Sequence, residues 1–366
     1  MTTLARQVRA AILQIQPYVA GLSDDTVRQQ FGGQAVVKLN SNENAVGPSR
    51  LAIEAILSEL EQIHHYPDPS SDLLRQAIAE FHGVQRDQVL VGNGSDEVIR
   101  LISETFLSEG DEVLVPAPTF SQYQAGAFLM GATVRRIPLS EDFQYDVDAF
   151  LSAVTNRTKL LYLCSPNNPT GTVVSQHALS RLLAQLPSHV FVVLDFAYND
   201  YARDETRAVL TPQLVEGGRV IALQTFSKLY GLAGLRVGYA VASAAIWDYV
   251  HRIREPFNVN RLAQRAAAAA LMDDQHRTLS RLLCERGMDM YGRLADVGYV
   301  VIPSQANFVS VRTGDGERTY QQLLQEGILV RKGFAGMEEY VRITMGLEEE
   351  NEQCILALLR LSTVSS

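Results

Sequence analysis

Apolar residues along this chain fall into two rhythms. The first is a set of short continuous runs at 89–91, 113–115, 134–137, 160–163, 190–194, 220–223 and 237–241. Runs of this length predict strands, and the almost wholly apolar ones at 190–194 and 220–223 suit strands buried on both faces of a parallel sheet. The second rhythm is helical. Leu74, Ile78 and Phe81 share one face, with Ser71 placed as the N-cap and Gly83 as the stop. Ile99, Ile102 and Phe106 mark a helix over 98–107, and another is expected around 179–186. Strands alternating with helices in this way predict an α/β domain with a mostly parallel sheet flanked by helices.

The pattern changes near Asn260. An alanine-rich helix (266–270) leads into a long polar helix (275–295), and short strands and helices then alternate to the C-terminus. This predicts a smaller α+β domain over 261–366, joined by an N-terminal arm over 1–45, with the large domain at 46–260. The arm carries an amphipathic stretch at 4–15, then Pro17-Tyr18 and Gly32-Gly33.

Composition narrows the class. At 366 residues the chain has length for about two domains. The net charge of −9, without blocks of like charge, argues against a nucleic-acid partner. Three scattered cysteines, Cys164, Cys284 and Cys354, make no disulfide framework and predict reduced thiols. No leader and no apolar stretch of about 18 residues is visible, so the expectation is a cytoplasmic protein without a membrane span.

Chemistry gathers where apolar runs end. After 89–91 comes Gly92-Asn93-Gly94-Ser95-Asp96-Glu97 and then a helix. Gly94, the Ser95 hydroxyl and Asp96 would sit at a helix N-terminus, which suits an anion such as phosphate. An ordinary capped turn is the competing reading, and Glu97 stands where a dinucleotide fingerprint needs its third glycine. After 220–223 comes Thr225-Phe226-Ser227-Lys228, followed by a glycine-rich segment containing Arg236. Lys228, desolvated and near other cations, would be a nucleophilic amine. Ser227 and Arg236 would hold the phosphate, Arg236 by a bidentate contact. Asp195 closes the run 190–194, at the strand end where α/β proteins bind ligands, and Tyr198 lies three residues on. Ser165-Pro166-Asn167-Asn168-Pro169-Thr170-Gly171 forms a turn from which Asn168 would offer its amide.

A lysine amine, a phosphate nest, a buried acid and two hydrogen-bonding groups match what pyridoxal phosphate needs. The acid holds the pyridine nitrogen protonated, which lets the ring absorb a carbanion's electrons. A nicotinamide-dependent oxidoreductase built on 92–97 would leave Lys228, Asp195 and Arg236 without a role. His64-His65 has no further ligands at metal spacing, so no metal is expected. No phosphate-loop motif of nucleotide triphosphatases is present.

Taken together the segments resemble fold-type I aminotransferases, the aspartate aminotransferase superfamily, and within it the histidinol-phosphate aminotransferases. The likeness rests on Leu39-Asn40-Ser41-Asn42-Glu43-Asn44, Tyr66-Pro67-Asp68-Pro69, 92–97, the Ser-Lys to Arg236 segment and Val341-Arg342-Ile343-Thr344. It implies the fold-type I transferase architecture and pyridoxal 5'-phosphate as cofactor, with Thr225 among its contacts. It also implies Phe120 stacked on the cofactor ring, and Lys228 as proton shuttle. Tyr66 would reach the cofactor phosphate of a neighbouring subunit, which implies a homodimer with shared sites. Arg342 would hold a substrate carboxylate, with Arg331, Tyr18 and Asn42 also on the substrate. The implied reaction is histidinol phosphate plus 2-oxoglutarate giving imidazole acetol phosphate and glutamate. Phe257 stands where this family often has a tyrosine. An aromatic amino acid aminotransferase therefore remains an alternative, as does a threonine-phosphate decarboxylase.

Overall fold

All seven apolar runs become strands of one sheet. They are β2 (Val89–Gly92), β3 (Glu112–Ala117), β4 (Thr133–Pro138), β5 (Thr158–Cys164), β6 (Phe191–Asp195), β7 (Val220–Thr225) and β8 (Gly238–Val241). β1 (Val37–Lys38) precedes them and lies in a separate sheet. The computed structural model describes residues 6–15, 17, 26 and 36–364. The sheet order is β2-β8-β7-β6-β5-β3-β4, and only β8 runs against its neighbours. The ends of β2, β5, β6 and β7 and the start of β8 therefore meet at one edge. The register makes this concrete, with Gly92 and Thr225 both opposite Gly238 and Cys164 opposite Asp195.

Helices cover both faces, as the continuous apolar strands require. On one side lie α1 (Arg50–Glu59) and α2 (Asp72–His82), then α3 (Ser95–Phe106) and α4 (Gln122–Leu129) on the other, with α5 (Val147–Ala153) and α6 (Gln176–Gln185) completing the layers. The short α7 (Pro212–Glu216) and α8 (Ala244–Val250) follow. α9 (Arg261–Leu271) contains the alanine run. Ala263, Ala266, Ala267 and Ala270 are buried in the same cluster as Ala52, Leu74 and Ile78, so small side chains let α9 lie close on α1 and α2. The change of character near Asn260 thus falls at the N-cap of a helix that still packs on the large sheet's layer.

The remainder builds a second core. β9 (Val300–Val301), β10 (Phe308–Arg312) and β12 (Tyr340–Thr344) form an antiparallel sheet in the order β12-β10-β9. α10 (Asp274–Gly292), α11 (Gly316–Gln325) and α12 (Glu348–Val364) contribute to its core. β11 (Ile328–Leu329) pairs in parallel with β1, which brings residues 37–39 beside the C-terminal third.

Two local expectations need correction. Ser71 occupies the cap position of α2 but has φ +52 and makes no capping bond. The Asp68 carboxylate caps instead, accepting from the Ser70 and Asp72 N–H groups at 2.9 and 2.7 Å. Phe81 is 43% exposed rather than core, with the Arg277 guanidinium 5.3 Å above its ring. The three cysteines are buried and free. Among the described residues no helix is long and apolar enough to cross a membrane, and no cluster of metal ligands occurs.

Candidate active site

At the shared strand edge the chain encloses a cavity of about 340 Å³. Ser95, Asp96, Phe120, Asn168, Asp195, Tyr198, Thr225, Ser227, Lys228 and Arg236 line it, with Asn42, Arg331 and Arg342. Residues from widely separated chain segments thus meet where the sheet topology brings them.

One end is a cradle. Gly94, at φ +80, caps α3, and a Cβ there would sit 2.7 Å from Arg236 Nη2. That φ, with ψ 165, is a backbone conformation that favours glycine. Arg236, itself at φ +52, donates to Ser227 Oγ at 3.4 Å and to Asp96 Oδ2 at 3.2 Å. Glu97 explains the missing third glycine. Its Oε2 accepts from Asn93 N–H at 2.5 Å and from Asn258 Nδ2 at 2.7 Å, which closes the loop.

The opposite end is buried. Asp195 is 3% exposed and, among the described residues, has no ion-pair partner. Its Oδ1 accepts from Ala197 N–H at 3.0 Å and its Oδ2 from Tyr123 O–H at 2.5 Å. Burial pushes its carboxyl upward, while those two donors pull it back. Tyr123 was not foreseen. It stacks on Tyr162 at 4.5 Å and meets Phe120 edge-on at 5.6 Å, and no local sequence feature announces either contact.

Lys228 lines the same cavity. Its Nζ donates to Ser41 O at 3.1 Å and sits 5.7 Å from the Tyr198 ring centroid. Burial first, then Arg342 and Arg236, lowers its ammonium to about 8, against the opposing pull of Glu43 and Asp96. A neutral amine is therefore accessible near neutral pH.

The turn 165–171 also came together as expected. Gly171 at φ +76 passes so close to Ser304 that a side chain would collide. Asn167, also unforeseen, donates to Pro118 O at 3.0 Å and accepts from Thr119 Oγ1 at 2.8 Å, tying the Phe120 segment to this turn. Arg342 donates to Asn168 Oδ1 at 2.6 Å and to Asn40 O at 2.9 Å, between the rings of Phe308 and Phe334. Arg331 faces it across two backbone hydrogen bonds of 2.9 and 2.7 Å.

Asn42 and Tyr66 make other contacts within this chain. Asn42 lines the cavity, but its amide donates to Tyr198 and accepts from Thr344 rather than being left for a substrate. Tyr66 does not line the cavity. It is 77% exposed and stacks on Phe257 at 4.6 Å. Tyr18 lies outside the described residues.

The arrangement suits pyridoxal phosphate. The glycine cradle and Arg236 fit its phosphate, the buried acid without an ion pair fits its ring N–H, and Lys228 fits its aldehyde carbon. Comparison with known proteins agrees. Residues 34–358 match the family described as aminotransferase class I and II. The chain is 44% identical over 355 residues to the histidinol-phosphate aminotransferase of Moorella thermoacetica, covering 96% of this chain and 92% of that one. Against the enzyme of the same name from Anaeromyxobacter sp. the identity is 42% over 364 residues, covering 96% and 97%. The crystal structure of histidinol-phosphate aminotransferase from Sinorhizobium meliloti in complex with pyridoxal-5'-phosphate superposes with a TM-score of 0.88 at 26% identity, covering 98% of each chain. The chain belongs to the class I and II aminotransferase family, and its cofactor is pyridoxal phosphate.

Proposed function

We propose that this aminotransferase acts on histidinol phosphate, with 2-oxoglutarate as the amino acceptor. The observation that carries the reading is the pair Arg331 and Arg342, held opposite one another at the cavity wall by an antiparallel bridge between residue 331 and β12. Two guanidinium groups suit a phosphate dianion in one half of the transfer and a carboxylate in the other. Relatives that bear this activity in their names, at 39–44% identity over nearly the full chain, support it.

Pyridoxal phosphate, when bound, supplies an electron-poor ring that takes up the electron pair released at the substrate's α-carbon. The residues do the rest. Asp195 accepts the ring N–H and keeps that nitrogen protonated. Tyr198 and the Asn168 amide would donate to the ring oxygen, and Phe120 would lie against the ring face. Gly94, Ser95, Asp96, Thr225, Ser227 and Arg236 enclose the phosphate. Lys228 Nζ would hold the cofactor's aldehyde carbon between turnovers and, once displaced, would carry the proton between the substrate's α-carbon and the cofactor carbon, as base and then as acid. Residues 46–260 serve as the cofactor-holding unit in this reading, and 261–366 with the N-terminal arm carry Arg331 and Arg342. Tyr66 belongs to a neighbouring copy's site. Its exposure leaves it available to one, so the working form is a homodimer. The three buried free thiols suit a reducing, cytoplasmic setting.

The test is an absorbance screen of the purified enzyme with histidinol phosphate, phenylalanine, tyrosine and threonine phosphate added singly. Histidinol phosphate should convert the visible band at the lowest concentration. Conversion first by phenylalanine or tyrosine would replace this reading with the aromatic one. Borohydride trapping followed by peptide mass spectrometry should place the cofactor on Lys228, and a label elsewhere would overturn that assignment. For the dimer, mixing inactive Lys228→Ala and Tyr66→Ala subunits should restore activity. No recovery in verified heterodimers would count against shared sites.

A further inference from the structure

Asn42 is almost wholly buried at φ +53, a left-handed conformation that asparagine tolerates better than most residues. Its backbone N–H donates to Thr344 Oγ1 at 2.9 Å. The Thr344 hydroxyl in turn donates to Asn42 Oδ1 at 3.1 Å. With one side of the Thr344 oxygen taken by the backbone N–H, its single proton points to Oδ1, and this fixes the direction of the amide. The amide nitrogen must then face the other way, where it donates to the Tyr198 oxygen at 3.0 Å. The phenol oxygen accepts on that side, so its own proton is left to point elsewhere. Asn307 Nδ2 holds the same loop through Asn42 O and Glu43 O, each at 3.1 Å. Thr344 lies two residues from Arg342 on β12, hence on the same face of that strand.

We propose that Asn42 and Thr344 are a positioning pair that aims the Tyr198 hydroxyl at the cofactor's ring oxygen and links it to the strand carrying Arg342. The inference rests on the reading of Tyr198 given above. A donor on the phenol oxygen polarises it, which makes its O–H the stronger donor to a ring oxygen bearing negative charge. Lys228, Arg342, Asp195 and Cys164 also face Tyr198, and none of them is changed by the substitutions below.

The test is a pH titration of the visible band of the cofactor-loaded enzyme without substrate. It follows the proton on the nitrogen that joins Lys228 to the cofactor. A donor at the ring oxygen favours the deprotonated form, so weakening that donor raises the midpoint. Tyr198→Phe should give the largest rise. Asn42→Ala and Thr344→Val should each raise it by about 0.5–1 pH unit, the effect of one neutral hydrogen bond, and Thr344→Ser should restore it. In a Tyr198→Phe background, Asn42→Ala should add nothing. Thr344→Val, nearly isosteric, keeps the test alive if Asn42→Ala does not fold. If Tyr198→Phe shifts the midpoint but Asn42→Ala and Thr344→Val do not, or if the double variant is additive, the positioning pair is wrong. If Tyr198→Phe itself shifts nothing, the Tyr198 reading falls and takes this inference with it.

Discussion

Two buried acids stand at opposite edges of the same sheet. Glu112 opens β3 at the amino edge, and Asp195 closes β6 at the carboxyl edge. Both side chains are nearly inaccessible, yet their surroundings differ in kind. Glu112 accepts from Thr155 Oγ1 at 2.7 Å, Arg157 Nη2 at 2.8 Å and Arg135 Nη1 at 3.4 Å. Burial pushes its carboxyl up, but these partners outweigh it and the net direction is down. Asp195 receives one phenol and one amide, and the net direction is up. The protein answers the first charge with two of its own arginines and, among the described residues, gives the second no ion pair. A buried acid without a cation is expensive for a fold to keep, which is why it marks function here.

The strongest way to break this comparison is Asp195→Asn. The expected fall in kcat is about 10²–10³-fold, the effect of losing a buried charge partner to the ring nitrogen. Denaturant unfolding of the cofactor-free protein should show no loss of stability, because the uncompensated charge is gone. A kcat within a few-fold of the parent would put Asp195 in the same class as Glu112.

Tyr123→Phe sharpens the comparison by removing one of the two donors that keep Asp195 ionised. A fall in kcat of about 10-fold is expected, in line with one hydrogen bond to a charged group. The pH profile distinguishes this from simple loss of packing. Without the phenol the Asp195 carboxyl rises further, so the acid limb of activity should move to higher pH. An unmoved acid limb would make Tyr123 a packing residue only.

The smallest expected effect is at the other edge. Glu112→Gln should lower stability by about 1–2 kcal/mol, since both arginine partners are partly solvent-screened, and leave kcat unchanged. The folded carboxyl lies below its ordinary value of 4.5, so its contribution is present above that pH and is lost as pH falls through the folded value. Unfolding curves of the two proteins should therefore start to converge as the pH drops below 4.5 and meet only below the folded value. A difference that persists into strong acid would show that the ion pairs are not its source.

The site was legible to the extent that it lies next to strands in sequence. Asp195 and the 92–97 loop directly follow apolar runs and Lys228 comes a few residues after one, and strands buried on both faces cannot easily disguise themselves. Contacts between distant segments left no such trace. Tyr123 lies 72 residues from Asp195, and Asn42 lies 302 from Thr344. The misplaced cap at Ser71 has the same origin in miniature. Any Ser before a helical pattern reads as a cap, but the chain turned so that Asp68 reached the free N–H groups first. The motif at 39–44 implies a substrate role for Asn42, whereas the direction of its amide depends on a strand at the far end of the chain.

By itself, then, the sequence determined the sheet, its helical layers and the chemical types at the strand ends, because apolar periodicity is a local property read residue by residue. Only the tertiary structure decided which acid was left without a cation, which way the Asn42 amide points, and that Arg331 and Arg342 stand side by side. Those are matters of hydrogen-bond direction and charge balance among groups that meet through folding alone, and a one-dimensional pattern carries no record of them.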